Sequence, residues 1–288
     1  MSILLNAQTR VIVLGITGRY AASQTREMLA GGTKVVAGVS TGRGGESVHD
    51  VPVFDTFSEA MAEQPAEAAA LHVGAAGVLD AFIETVEAGI ELVYVGTEGV
   101  PPHDAMIMRA VAREHGAWMI GPNSLGLITP GEASLGGFPP EWFAPGRLGV
   151  VSRSGTLCLF VTSEITKAGF GQSTVVTIGG DEVIGRNPVE YLEAFEQDQD
   201  TDAVLFLSEV GGRKDYEAAE YIEQMSKPVA ALLVGHAAPP GRRMGHIGAV
   251  AGDADESAAA KTAMLRAKGA HAVETYHELP DVLRVVLS

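Results

Sequence analysis

Short apolar runs recur along the chain, each ending in glycine or a small polar residue and each followed by an amphipathic stretch. The first is residues 10–15, Arg-Val-Ile-Val-Leu-Gly. A run this short and this apolar predicts a strand buried on both faces, as in a parallel sheet. A turn at 16–21 follows, then a helical pattern to about residue 30, stopped by Gly31 and Gly32. Residues 34–39 predict the second strand. Strand, tight turn, helix and strand form the opening unit of nucleotide-binding folds. The alternation continues with predicted strands at 51–54, 68–73, 92–95 and 118–120, and helices at 57–63, 78–88 and 104–115.

Residues 121–145 break the pattern with glycine and proline, which predicts a connection. A second alternating run starts at 148. Its predicted strands are 148–152, 174–178, 203–208, 229–234 and 272–274. Its predicted helices run to 168, over 188–197, 216–225 and 257–268, and onward from 279. Two such runs predict an α/β protein of two doubly wound domains, 1–125 and 147–288, joined by 126–146.

Composition narrows the classes. A chain of 288 residues is long enough for about two cores. Apolar residues make up 46% and charged residues 19%, which is a globular balance. The formal charge of −16 argues against a nucleic-acid partner. The single cysteine, Cys158, excludes an intramolecular disulfide and any zinc site built on two or more cysteines, and no metal ligand set is expected. The first residues lack the basic start and apolar core of a signal peptide, and no run approaches the roughly 20 apolar residues of a membrane helix. A cytoplasmic protein without a membrane partner is the expectation.

Candidate chemistry sits at the predicted strand ends. Gly15, Gly18 and Ala21 approximate, without matching, a dinucleotide fingerprint, and a plain glycine turn for close helix packing fits as well. An NAD site wants an acid after the second strand. Here Ser40-Thr-Gly-Arg-Gly-Gly45 places Arg43 on a glycine loop. That favours a phosphorylated ribose, as in NADP or coenzyme A, over NAD; a solvated surface charge is the alternative. Thr17, Arg43, Thr97 and Glu98 all fall at strand ends and are expected to line one crevice. In the second run, Ser154, Gly155 and Thr156 open a helix, where N–H groups and the helix dipole favour an anion; a plain serine cap is the alternative. Glu209 ends another strand, and the stretch 241–249, Gly-Arg-Arg-Met-Gly-His-Ile-Gly-Ala, sets His246 between glycines after two arginines. A nucleophilic histidine, a carboxylate on its other ring nitrogen and a helix N-terminus would make a phosphohistidine site. No P-loop pattern occurs, so the phosphoryl group is expected from a partner subunit.

The motifs, in order, resemble the α subunit of succinyl-CoA synthetase, and the similarity covers nearly the whole chain. They include Gly-Ile-Thr-Gly at 15–18, Thr-Glu-Gly at 97–99, Ile-Gly-Pro-Asn at 120–123 and Ile-Thr-Pro-Gly-Glu at 128–132. Val-Ser-Arg-Ser-Gly-Thr-Leu at 151–157, Gly-Phe-Gly-Gln-Ser-Thr at 169–174 and Ile-Gly-Gly-Asp at 178–181 continue the series. Glu-Val-Gly-Gly at 209–212 and Arg-Met-Gly-His at 243–246 complete it. The resemblance implies a Rossmann-like CoA-binding domain followed by a flavodoxin-like ligase domain. It places the phosphorylated histidine at His246 and its supporting acid at Glu209. CoA would be held by Thr17, Gly18, Arg19, Tyr20, Arg43, Gly96, Thr97 and Glu98. Asn123, Ser124 and Leu159 would lie toward the substrate. The implied partner is an ATP-grasp β subunit, in an αβ or α2β2 assembly, that binds ATP or GTP with Mg2+. The implied reaction joins a carboxylic acid to CoA through an acyl phosphate, as in the tricarboxylic acid cycle.

The chain departs from the family pattern in places. Arg19-Tyr-Ala21 stands for Ser-Gln-Gly, Gly74-Ala-Ala for a Pro-Ala-Pro-like turn, and Ser124-Leu125 for Cys-Pro. Cys158, Leu159 and Phe160 stand where the family carries a tyrosine and a glutamate, which should weaken hydrogen bonding to a small dicarboxylate. A ligase with a shifted acid, or with an acceptor other than CoA, is therefore weighed beside the parent reaction. A binding module that has lost turnover is the rival from another class.

Overall fold

The computed structural model describes residues 3–239, 241–246, 249–250 and 252–288. Ile247 and Gly248, which follow the candidate histidine, lie outside the described residues. The chain divides into two compact units.

One unit comprises residues 4–140 with 183–186. Its strands are β1 (Arg10–Leu14), β2 (Lys34–Val39), β3 (Ser47–Val48), β4 (Val51–Phe54), β5 (Ala68–Leu71), β6 (Leu92–Val95) and β7 (Trp118–Ile120). Between them run α1 (Arg19–Ala30), α2 (Phe57–Glu63), α3 (Val78–Glu87) and α4 (Pro102–Glu114). The sheet order is β3-β4-β2-β1-β5-β6-β7, parallel except for the short edge strand β3. Without β3 this is the order 3-2-1-4-5-6 of dinucleotide folds, in which winding reverses between β1 and β5. Strands β1, β5 and β6 are apolar almost throughout because helices cover both faces. Phe57, Phe82, Val86 and Met108 pack from the helices onto Ile12, Leu14, Ala69 and Val93.

The same unit holds an antiparallel hairpin, β8 (Gly126–Thr129) and β9 (Ala133–Gly136), within the stretch the sequence pattern presents as a plain connection. Gly126 and Gly136 have φ of +104° and +118°, and each backbone passes so close to the opposite strand that a Cβ would meet a carbonyl oxygen at 1.8 and 2.1 Å. Glycines that punctuate a loop pattern here let two strands approach.

The other unit comprises residues 141–182 and 187–288 with the first residues of the chain. Its strands are β10 (Pro145–Ser152), β11 (Gln172–Thr177), β12 (Ala203–Glu209), β13 (Val229–Val234) and β14 (His271–Val273). Its helices are α5 (Gly155–Lys167), α6 (Pro188–Gln197), α7 (Lys214–Ile222), α8 (Ala258–Ala267) and α9 (Leu279–Val286). Within this unit the parallel strands run β14-β13-β12-β10-β11. Numbered within the unit that is 2-1-3-4-5, the flavodoxin-like order, with winding reversing between β10 and β12. Tyr191, Leu192 and Phe195 of α6 and Leu279 and Leu283 of α9 are fully buried in this unit.

Candidate active site

Ligands of open α/β sheets bind beyond the carboxyl ends of the strands, where winding reverses. Each unit has its chemistry there.

In the first unit the loops after β1, β5 and β6 enclose a cavity of about 380 Å³, lined by residues 18–21, 71–74, 96 and 97. Gly18, Arg19, Tyr20, Gly96 and Thr97 of the expected set are brought together there. Helix α1 begins at Arg19, so its first N–H groups have no intrahelical acceptor and face the loop side. Tyr20 stands 64% exposed, with its ring edge-on to His72 at 5.9 Å and its hydroxyl accepting from the Gln24 amide. Burial holds the His72 imidazole down to about 4, so it is neutral at physiological pH. Thr97 Oγ1 donates to the carbonyl of Val73 at 2.8 Å, tying the third loop to the second.

Thr17 lies outside that lining, with Oγ1 donating to Ser40 Oγ at 3.0 Å, so Ser40 links the β1 and β2 loops. The sequence contains Ser40 in the glycine loop, yet only strand order reveals that it faces Thr17. Arg43 is exposed and forks onto Glu46 at 2.5 and 2.7 Å. Glu98 is exposed. Asn123 has a φ of +52° and donates its N–H to Thr97 O at 3.0 Å. Ser124 Oγ accepts from Gly126 N at 2.8 Å.

In the second unit, β10 lies between β11 and β12, with Ser152 opposite both Thr177 and Leu207. The loops after these strands therefore share one edge, about 5 Å apart per strand. Glu209 ends β12 and is 7% exposed. His246 Nδ1 meets its Oε1 at 2.8 Å. A carboxylate only accepts, so Nδ1 carries the proton and Nε2 keeps the lone pair. That hydrogen bond raises the His246 pKa above its ordinary value, against partial burial, with the charge of Glu209 adding to the rise. Asp181 pushes the same way and Arg153 opposes it.

Arg153, from the β10 loop, places Nε 3.4 Å from Glu209 Oε1 and donates through Nη1 to Gly211 O at 3.0 Å. Gly180, from the β11 loop, lies against the imidazole; a Cβ there would fall 2.7 Å from Cδ2. So Arg153, Gly180 and Asp181 belong to this site, although motif spacing alone does not single them out. One signal was present: all three sit in strand-end motifs of the second run.

Ser154 caps α5, its Oγ accepting from Leu157 N at 3.3 Å. The cap leaves the N–H groups of Gly155 and Thr156 without intrahelical acceptors, at the positive end of a helix dipole and one loop from Glu209. Leu159 lies farther along α5, in a groove with Trp142, Phe160 and Lys167, and in the other unit from Asn123 and Ser124. Cys158 is fully buried, and burial pushes its thiol up to about 12, so it is no nucleophile. Among the described residues, no cluster of three or more His, Cys, Asp or Glu side chains could hold a metal ion, and no helix is long and apolar enough to cross a membrane.

A CoA-binding domain model matches residues 6–99, and a CoA-ligase model matches residues 151–271. Fold, strand-end sites and both matches define the class of the NDP-forming CoA ligases. Over its whole length the chain is 47% identical to subunit alpha 1 of the ADP-forming succinate–CoA ligase of Archaeoglobus fulgidus, covering 99% of that relative. It is 42% identical, again over 100% of its length, to the α subunit of the ADP-forming succinate–CoA ligase of Aquifex aeolicus, covering 95% of it. The chain belongs to the succinate–CoA ligase α-subunit family. An ATP citrate lyase of Methanosaeta concilii, solved with (3S)-citryl-CoA, matches with a TM-score of 0.90 at 25% identity. The match covers 98% of this chain and 50% of the lyase chain, so this chain spans about half of that protein.

Proposed function

We propose that the chain is the α subunit of an NDP-forming acid–CoA ligase, with His246 as its phosphoryl carrier. The observation that carries the reading is the His246–Glu209 pair at the winding reversal of the second sheet. Glu209 occupies Nδ1 and leaves Nε2 as the nucleophile. Nε2 takes the γ-phosphoryl group as the bond to the nucleoside diphosphate breaks. The N–H groups of Gly155 and Thr156, with Ser154 shaping the turn, hold the phosphoryl oxygens. The phosphoryl group passes to the carboxylate of the acid, giving an acyl phosphate and restoring the imidazole. The CoA thiol then attacks the acyl carbon, and inorganic phosphate leaves.

The relatives are named for succinate, and succinate is the acid proposed first. Residues 1–125 serve as the CoA-binding domain and 147–288 as the ligase domain, with 126–146 between them. The crevice at Gly18, Arg19, Tyr20, Gly96 and Thr97 receives CoA, with Thr17 and Glu98 at its margin. Arg43 turns from Glu46 to a CoA phosphate. Asn123, Ser124 and Leu159 bear on the acceptor and the acid. The nucleotide, ATP or GTP with Mg2+, sits on an ATP-grasp β subunit in an αβ or α2β2 assembly in the cytoplasm. The relatives are themselves α subunits, which supports a partner chain.

The test is discharge. The complex with an ATP-grasp partner is loaded with labelled phosphate and chased with a panel of acids, with and without CoA. Loss of label together with acyl-CoA formation, requiring both succinate and CoA, is the expected result. Discharge by an acid without CoA would replace the thiol acceptor. Discharge with CoA and another acid only would replace succinate.

A further inference from the structure

Behind Glu209 lies a lysine that never meets water. Lys261 is fully buried on the face of α8 that also carries Ala258, Thr262 and Leu265. A buried ammonium needs an acceptor for each proton. Nζ donates to Glu209 O at 3.1 Å, to Gly211 O at 2.7 Å and to the carboxylate of Asp215. All three protons are placed, so Lys261 has none to offer a substrate. Asp215, on α7, also accepts from Ser208 Oγ at 2.5 Å.

Two of the three acceptors are backbone atoms of the loop that carries Glu209. The chain leaves the sheet there and turns through Gly211 and Gly212, with φ of +88° and +70°. Carbonyls that quit a ladder in the interior must find other donors. Lys261 supplies them from α8, and Arg153 binds the same Gly211 carbonyl from the β10 side at 3.0 Å. The Glu209 side chain continues from this anchored backbone to His246 Nδ1. An apolar residue would fill the space at less desolvation cost, but it could not hold two carbonyls.

We propose that Lys261, neutralised by Asp215, is a positioning residue that fixes the backbone of Glu209 and Gly211 so that the Glu209 carboxylate meets His246. Its importance for turnover rests on the phosphohistidine reading above; the geometry it sets does not. Among the described residues, Glu209, Arg153 and Asp181 act on the His246 imidazole, and Arg243 Nε donates to the His246 carbonyl at 3.3 Å.

The test uses the full chain. Lys261→Met leaves the Asp215 carboxylate buried and unpaired, so its Tm falls. Lys261→Met with Asp215→Leu removes both charges, and its Tm returns toward wild type. NMR titration of the His246 imidazole in the isolated chain reports the Glu209 contact without any partner. Both Lys261 variants are expected to titrate below wild type, toward the ordinary histidine value. With an ATP-grasp partner, both are expected to form phosphohistidine about tenfold more slowly or worse, the scale for groups that orient a reacting side chain. Asp215→Asn keeps the carbonyl bonds of Lys261, so it should lose Tm while keeping the wild-type titration.

A double variant that regains its Tm together with the wild-type titration and rate would overturn the proposal and leave a structural ion pair. Lys261→Met raising the His246 titration while Asp215→Asn lowers it would overturn it too, in favour of a charge effect, because the two substitutions remove opposite charges. If the wild-type complex takes no label, the phosphohistidine reading fails, and the NMR titration still decides the role of Lys261.

Discussion

The His246–Glu209 hydrogen bond has two consequences of opposite pH sign. Its folded pKa lies above the ordinary histidine value of about 6.5, chiefly through the bond to Glu209. Its contribution to stability is therefore complete below about pH 6.5 and is lost as pH rises through the raised value. Nucleophilic attack needs the neutral ring, so phosphorylation should speed up as pH rises through that same value. Glu209→Gln removes the carboxylate that raises it. The acid limb of the pH–rate profile should then move down toward about 6.5 while the plateau falls about tenfold or more. An unmoved limb would mean that Glu209 does not set the ring's protonation. The sequence exposed His246 and Glu209 because each sits in a glycine-marked strand-end motif. It placed Arg153, Gly180 and Asp181 in strand-end motifs but not against the imidazole, because that closeness depends on β10 lying between β11 and β12, which no local pattern encodes. Lys261 left a fainter trace: a charge at a core position of an amphipathic helix, with Asp215 at a core position of the helix before it.

At the scale of elements, the β–α alternation was legible almost throughout, because strands covered on both faces read as short apolar runs. The β8–β9 hairpin was not, since the glycines that permit its close approach are the residues that signal a loop. The start of α5 carries the clearest element-level prediction. Ser154 both caps the helix and shapes the turn assigned to phosphate. Ser154→Ala should cost about 1 kcal/mol of stability, and Ser154→Gly only a few tenths. Urea unfolding followed at Trp142, in a Trp118→Phe background, reports on the unit that holds α5. Equal losses for the two substitutions would show that Ser154 is not acting as a cap.

At the scale of the molecule, two doubly wound units place a crevice and a carboxylate-oriented histidine at their respective winding reversals. Under the proposed function, the first unit receives CoA and the second carries the phosphoryl group. The chain has no P-loop pattern, and its formal charge is −16, from 36 Asp and Glu against 20 Lys and Arg. In the proposed reading the nucleotide is assigned to another subunit. The measurement that tests this account most directly is labelling of the chain by γ-labelled ATP or GTP with Mg2+ and an ATP-grasp partner, read by phosphopeptide mapping. The account predicts acid-labile, base-stable label on His246, absent from His246→Ala. A partner proven competent with another α subunit of the family, but leaving this chain unlabelled, would contradict it and make the chain a CoA-binding module without turnover.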